Sequence, residues 1–205
     1  MTSSRRCAPS SGREGVPRLR AEERWPAGTA RGGGARRSDT IPGMRRVRLS
    51  GAELDLALDD TDPPGYQASR DRIGRRLGAQ QTGASLYEVP PGQAVCPYHY
   101  EHAEEEWVLV VEGHPSVRTP EGTQVLDPLD LVFFPTGPEG AHQIRNDSDA
   151  PARVLMWSTV VHPAVTVYPD SDKVGVYVRD GSDDLIVRRS AGVDYYDGEE
   201  APPAR

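Results

Sequence analysis

Residues 97–113 read PYHYEHAEEEWVLVVEG. Histidine, glutamate and tyrosine crowd the first half, and an apolar run fills the second. In an extended chain, side chains two apart share a face. His99 and Glu101 therefore point together, with Tyr100 and His102 on the other side. Glu106 opens the apolar run, and a short turn before it would return its carboxylate to the first pair. Imidazole nitrogen and carboxylate oxygen both suit a first-row divalent metal. His142 is the candidate for a further ligand: it follows the turn-rich PTGPEGA and opens HQIRN, which reads as a strand. His114 and His162 each precede a proline and are expected at exposed turns.

Outward from this stretch, short apolar segments alternate with turn signals. ASLYEV precedes PPGQ, SVRT and TQVL flank PEG, LVFF ends at Pro135, and RVLMWSTVV, AVTVY and KVGVYV follow. This spacing predicts an antiparallel all-β domain. RVLMW is continuous enough for a strand covered on both faces. Before these strands lie the turn-rich DDTDPPGYQ and the segment QASRDRIGRRLGA, which is expected to hold a short helix.

Charge is unevenly divided along the 205 residues. Residues 1–48 carry 12 arginines against 4 acids, whereas the remainder carries 12 basic and 27 acidic residues. An acidic body repels phosphates, which argues against nucleic acid as its partner. Segments such as ARGGGARRS have nothing to bury, so residues 1–43 are expected to form a disordered tail. Met44, where apolar residues first recur, is an alternative start. No apolar stretch reaches the roughly 18 residues that span a bilayer. Two cysteines, Cys7 and Cys96, are too few for a disulfide framework. A cytoplasmic setting without membrane association is expected.

Two separated segments together resemble the motifs of the cupin superfamily. The first is Gly92, QAVCPY, His99-Tyr100-Glu101, HAEE, Glu106, WVLVVE, Gly113. The second is Leu129, DLVFF, Pro135-Thr136-Gly137, PEGA, His142, QIR, Asn146. Glu101 stands where the first motif has its second histidine, and Leu129 stands where the second motif opens with glycine. Both spacers before the histidines are longer than usual. Within the superfamily the chain looks like a single-domain bacterial subgroup whose members mostly lack an assigned reaction, and in which glutamate at the Glu101 position is ordinary.

The resemblance implies a double-stranded β-helix, a jelly-roll barrel open at one end around a metal. The barrel would span residues 84–180, with extensions at 44–83 and 181–205. The implied ligands are His99, Glu101, Glu106 and His142. His102 replaces Glu101 if a bulge shifts the strand by one residue. Two imidazoles and two carboxylates favour Mn²⁺, Fe²⁺ or Zn²⁺ over copper. The implied function is a metal-dependent enzyme acting on a small oxygenated molecule, by dioxygenase or isomerase chemistry; the alternative is a non-catalytic metal- or small-molecule-binding sensor. A homodimer is expected, with RVLMWSTVV as the strand offered for pairing.

Overall fold

A computed structural model describes residues 43–49, 54–59 and 61–201. The expected disordered tail lies outside these ranges, apart from Gly43. Along the chain come β1 (Ser69–Asp71), α1 (Ile73–Leu77), β2 (Thr82–Val89), β3 (Tyr100–Glu101), β4 (Glu106–Glu112), β5 (Ser116–Thr119) and β6 (Gly122–Val125). Then follow β7 (Leu131–Phe134), β8 (Gln143–Arg145), β9 (Ala152–Thr159), β10 (Ala164–Tyr168), β11 (Lys173–Tyr177) and β12 (Leu185–Arg188). The expected helix is one short turn-and-a-half. Its first half is instead the strand β1, and Gly78 in the left-handed region (φ 82°) stops α1.

The strands form three antiparallel sheets, ordered β1-β2-β9-β4-β7, β12-β11-β10-β3 and β6-β5-β8. This corrects the expectation of a closed double-stranded β-helix barrel: among the described residues each sheet has two free ends, and no ladder returns from its last strand to its first. The physical reason lies in the connecting segments. β3 has two residues and β8 three, and Pro90, Pro91, Pro97, Pro135 and Pro138 remove backbone donors where ladders would have to continue. Only single bridges, His99 to His142 and Ala94 to Arg145, cross those gaps.

β9 lies in the middle of its sheet, paired to β2 on one side and β4 on the other. It therefore cannot be the free edge through which a second copy pairs. Its partner β4 is followed by Gly113, whose φ is +80° and where a Cβ would sit 2.8 Å from the Ala152 Cα. Only glycine meets both conditions. The inner faces of β2, β4 and β9 pack Val89, Val108, Val110 and Val154 against Val117, Leu126 and Ile144. Each such side chain withdrawn from water contributes about 1.5–3 kcal/mol. Among the described residues, no helix is long and apolar enough to cross a membrane.

Candidate metal centre

The seam between the β3 and β8 sheets is a single bridge, and it carries two histidines. The His99 N–H donates to the His142 carbonyl (3.1 Å) and the His142 N–H donates to the His99 carbonyl (2.8 Å). Residues that exchange both bonds stand directly opposite, with side chains on one face. Their ring centroids are 4.7 Å apart. Glu106, the first residue of β4, reaches in from the five-stranded sheet. Its Oε2 lies 3.4 Å from His99 Nε2 and 3.7 Å from His142 Nε2. One ligand-capable atom from each of these three residues lies within 4.8 Å of the other two.

Backbone carbonyls set the protonation of both rings. His99 Nδ1 is 3.0 Å from the Pro97 oxygen, and His142 Nδ1 is 2.9 Å from the Gly140 oxygen. A carbonyl only accepts, so each Nδ1 carries a proton; in the His142 ring this leaves Nε2 as a lone pair aimed at the cluster, and His99 Nε2 would offer the same lone pair once a cation displaces its proton. The longer spacers serve this arrangement. PEG forms a 3₁₀ turn, Pro138–Gly140, that presents the Gly140 carbonyl, and Pro97 belongs to the longer QAVCPY. Phe134, across from Glu106 on β7, lies flat on the His142 ring, with centroids 3.7 Å apart and planes 6° apart. Tyr168 stacks beside His99 at 6.1 Å.

Glu101 stands outside the close group of three. It lies opposite Thr166 of β10, whose hydroxyl donates to Glu101 Oε1 at 2.6 Å. Its other oxygen, Oε2, is buried without a hydrogen-bond partner, and so is His142 Nε2. His102 is exposed, with its ring against the edge of Tyr100, and the structure does not bring it to the cluster. His114 and His162 are exposed, as their prolines suggested.

The electrostatics follow from packing one carboxylate against two rings. Burial acts to lower the His99 pKa, but the adjacent Cys96 sulfur and the Glu106 carboxylate more than reverse this and push it up to about 11. Burial and the neighbouring His99 charge lower His142 to about 4. The pair thus carries one positive charge, held on His99. Burial pushes Glu106 up, and the two histidines outweigh it and hold the group below the usual carboxylate range. Burial raises Glu101; the Thr166 hydrogen bond opposes the rise, and the Glu106 charge adds to it.

This donor set fits a divalent ion. Two ligands about 2.0–2.1 Å from one ion at tetrahedral or right angles stand roughly 2.8–3.4 Å apart, and Glu106 stands from His99 at the upper end of that range. Buried polar atoms without partners are rare and costly, and two of them occur here. Thr166, Tyr168 and the stacking role of Phe134 are not evident from the sequence. The one signal for Thr166 is a hydroxyl in the middle of the apolar run AVTVY. A groove of about 580 Å³ lies elsewhere, between Asp59 and the arginines of α1.

The cupin domain family model matches residues 85–158, which hold all four of these histidines and glutamates. A putative sugar phosphate isomerase from Acidithiobacillus ferrooxidans is similar in structure, with 26% identity and a TM-score of 0.58 over 64% of this chain and 82% of that one. A sugar phosphate isomerase from a cupin superfamily, from Silicibacter pomeroyi, is 26% identical, with a TM-score of 0.61 over 70% of this chain and 94% of its own. No curated protein matches the chain. It is this matched part of the chain, residues 85–158, that belongs to the cupin superfamily.

Proposed function

We propose that the protein is a metal-dependent enzyme acting on a small hydroxy-carbonyl molecule by isomerase-type chemistry, with His99, Glu101, Glu106 and His142 as ligands of Mn²⁺, Fe²⁺ or Zn²⁺. The observation that carries this reading is the pair of buried, unpartnered atoms, His142 Nε2 and Glu101 Oε2, beside the His99 and Glu106 donors. The two similar proteins named as sugar phosphate isomerases favour isomerisation over dioxygenation. A bound divalent ion supplies Lewis acidity toward a carbonyl or hydroxyl oxygen. The chain's own residues prepare the place. Pro97 and Gly140 hold the imidazole protons on Nδ1, Phe134 fixes the plane of His142, and Thr166 orients Glu101. Tyr168 covers one side of His99 against water. Tyr98 is engaged elsewhere, under the Arg118 guanidinium at 3.9 Å, and takes no acid–base role in this reading.

The test begins with metal content after purification without chelators. About one divalent ion per chain is expected, removable by chelator and restored on reloading. The loaded protein is then given a panel of aldose and ketose phosphates in deuterated water and followed by NMR. Turnover with deuterium at the carbon next to the carbonyl, lost in His142→Ala, supports the enzyme. Stoichiometric metal with ligand binding but no turnover makes the protein a binding module. A chain that takes up no metal overturns the reading.

A further inference from the structure

Residues 183–189 read DDLIVRR. The middle of this stretch is β12, the edge strand of the β12-β11-β10-β3 sheet. One side of β12 is paired to β11, from Lys173 opposite Arg188 to Val176 opposite Leu185; the other side has no strand against it among the described residues. Leu185, Ile186 and Val187 are 52%, 54% and 37% exposed. Successive side chains of a strand point to opposite faces, so both faces of this edge are apolar and open to water. The strand is nonetheless held in place. The Arg188 guanidinium donates to the Ser171 carbonyl, and Asp184 accepts from the Val178 N–H.

Sheet edges in soluble proteins are normally blunted by proline, inward-pointing charge or a bulge. Residues 181–193 contain no proline and no lysine, and the charges are sorted by sign, acids before the apolar triplet and arginines after it. That order makes the strand complementary to itself. In antiparallel pairing about a two-fold axis at Ile186, Ile186 meets Ile186 of the partner subunit and Leu185 meets the partner's Val187. Asp184 then meets the partner's Arg188, and Asp183 meets the partner's Arg189. Parallel pairing in register would set acid on acid and arginine on arginine.

We infer that the occupant of this edge is a second copy of the chain, joined β12 to β12 so that two four-stranded sheets become one. The contact is isologous, and a two-fold axis closes it at two subunits. Its charged flanks meet in opposite sign, and its apolar centre is withdrawn from water. The inference is independent of the metal reading, since β12 contributes nothing to the His99, Glu106 and His142 cluster.

Sedimentation velocity on the full chain tests it. The wild type is expected to be a dimer at roughly 50 μM, within reach of a micromolar dissociation constant. Ile186→Lys sets two ammonium groups face to face on the axis and is expected to give a monomer with the wild-type circular dichroism spectrum. Asp183→Arg and Arg189→Asp, at positions without side-chain hydrogen bonds within the subunit, are each expected to weaken the dimer about tenfold. The double variant, with the charges exchanged, is expected to recover wild-type affinity. That recovery keeps the test decisive even if Ile186→Lys fails to fold. A monomeric wild type overturns the inference. So does a dimer that ignores these substitutions, which would place the contact on another surface, such as the face of β4 and β9 where Trp107 stacks on Trp157.

Discussion

The two ends of β4 differ sharply. At its start Glu106 faces two imidazoles, and a buried nitrogen and a buried oxygen nearby have no hydrogen-bond partner. Two and four residues further along the same face, Val108 and Val110 have no exposure and pack against Val154 and Ile144. The entry to β8 repeats the gradient, from His142 just before the strand to Ile144 within it. The apolar end is satisfied by its own contacts. The polar end is not, and each unsatisfied buried group costs about 1–3 kcal/mol. The fold therefore concentrates its stability at one end of these strands and leaves at the other a demand that a cation can meet. Three substitutions, in descending order of effect, break or sharpen that division.

Ile144→Ala strikes the apolar end. Ile144 is fully buried at the centre of the core cluster, and truncation of such a side chain typically costs 2–5 kcal/mol through lost burial and the cavity left behind. A loss of about 3 kcal/mol is expected in denaturant unfolding of the metal-free protein. The fraction that remains folded should still bind metal at the wild-type stoichiometry. Loss of metal without loss of stability would mean that the two ends are not separable.

Glu106→Gln strikes the polar end. A ligand that binds only the folded state stabilises it by about 2.7 kcal/mol at a free concentration one hundred times its dissociation constant. The wild type should show this increment as a rise in thermal midpoint on adding divalent metal, and chelator should abolish it. The variant keeps the shape of the side chain but loses the anionic oxygen nearest both histidines, so its midpoint should not move with metal. Ile144→Ala, starting from a lower midpoint, should still show the rise.

Much of this arrangement was legible in the sequence because it is local. The i, i+2 spacing of His99 and Glu101, the entry of Glu106 into an apolar run and the turn before His142 are short-range signals, and the structure gathers His99, Glu106 and His142 into one group. Nine of the strands lie on segments whose alternation and turns mark them. What failed was long-range. Whether sheets close depends on backbone donors in segments interrupted by proline, and a resemblance to other chains carries no count of those donors. The place of Glu101 was half legible: its face could be read, but not the Thr166 hydroxyl that engages one of its oxygens. Nothing in the sequence marks β12, because DDLIVRR has only three apolar residues and no alternation.

Leu129 is the instructive departure, and it yields the smallest prediction. The second motif opens with glycine in the family pattern, and here a leucine stands in its place. The structure shows what the glycine is for. Asp127-Pro128-Leu129-Asp130 is a turn closed by the Asp130 N–H on the Asp127 carbonyl at 3.0 Å, with Leu129 at φ +76°. Proline second and a left-handed residue third is the pattern of a type II turn, whose third position favours glycine. A side chain in that conformation costs roughly 1–2 kcal/mol. Leu129 is 78% exposed, so packing returns little of it. Its N–H donates to the Val110 carbonyl at 2.8 Å, which ties the strained residue to the apolar end of β4 and holds it there. Leu129→Gly relieves the strain but frees the unfolded chain, which takes back roughly 0.5–1 kcal/mol. A net gain of about 0.5–1 kcal/mol in denaturant unfolding is expected, with the metal-dependent increment unchanged. Leu129→Ala keeps the Cβ and should give no such gain; an equal gain from alanine would assign the effect to the exposed leucine side chain and not to the backbone.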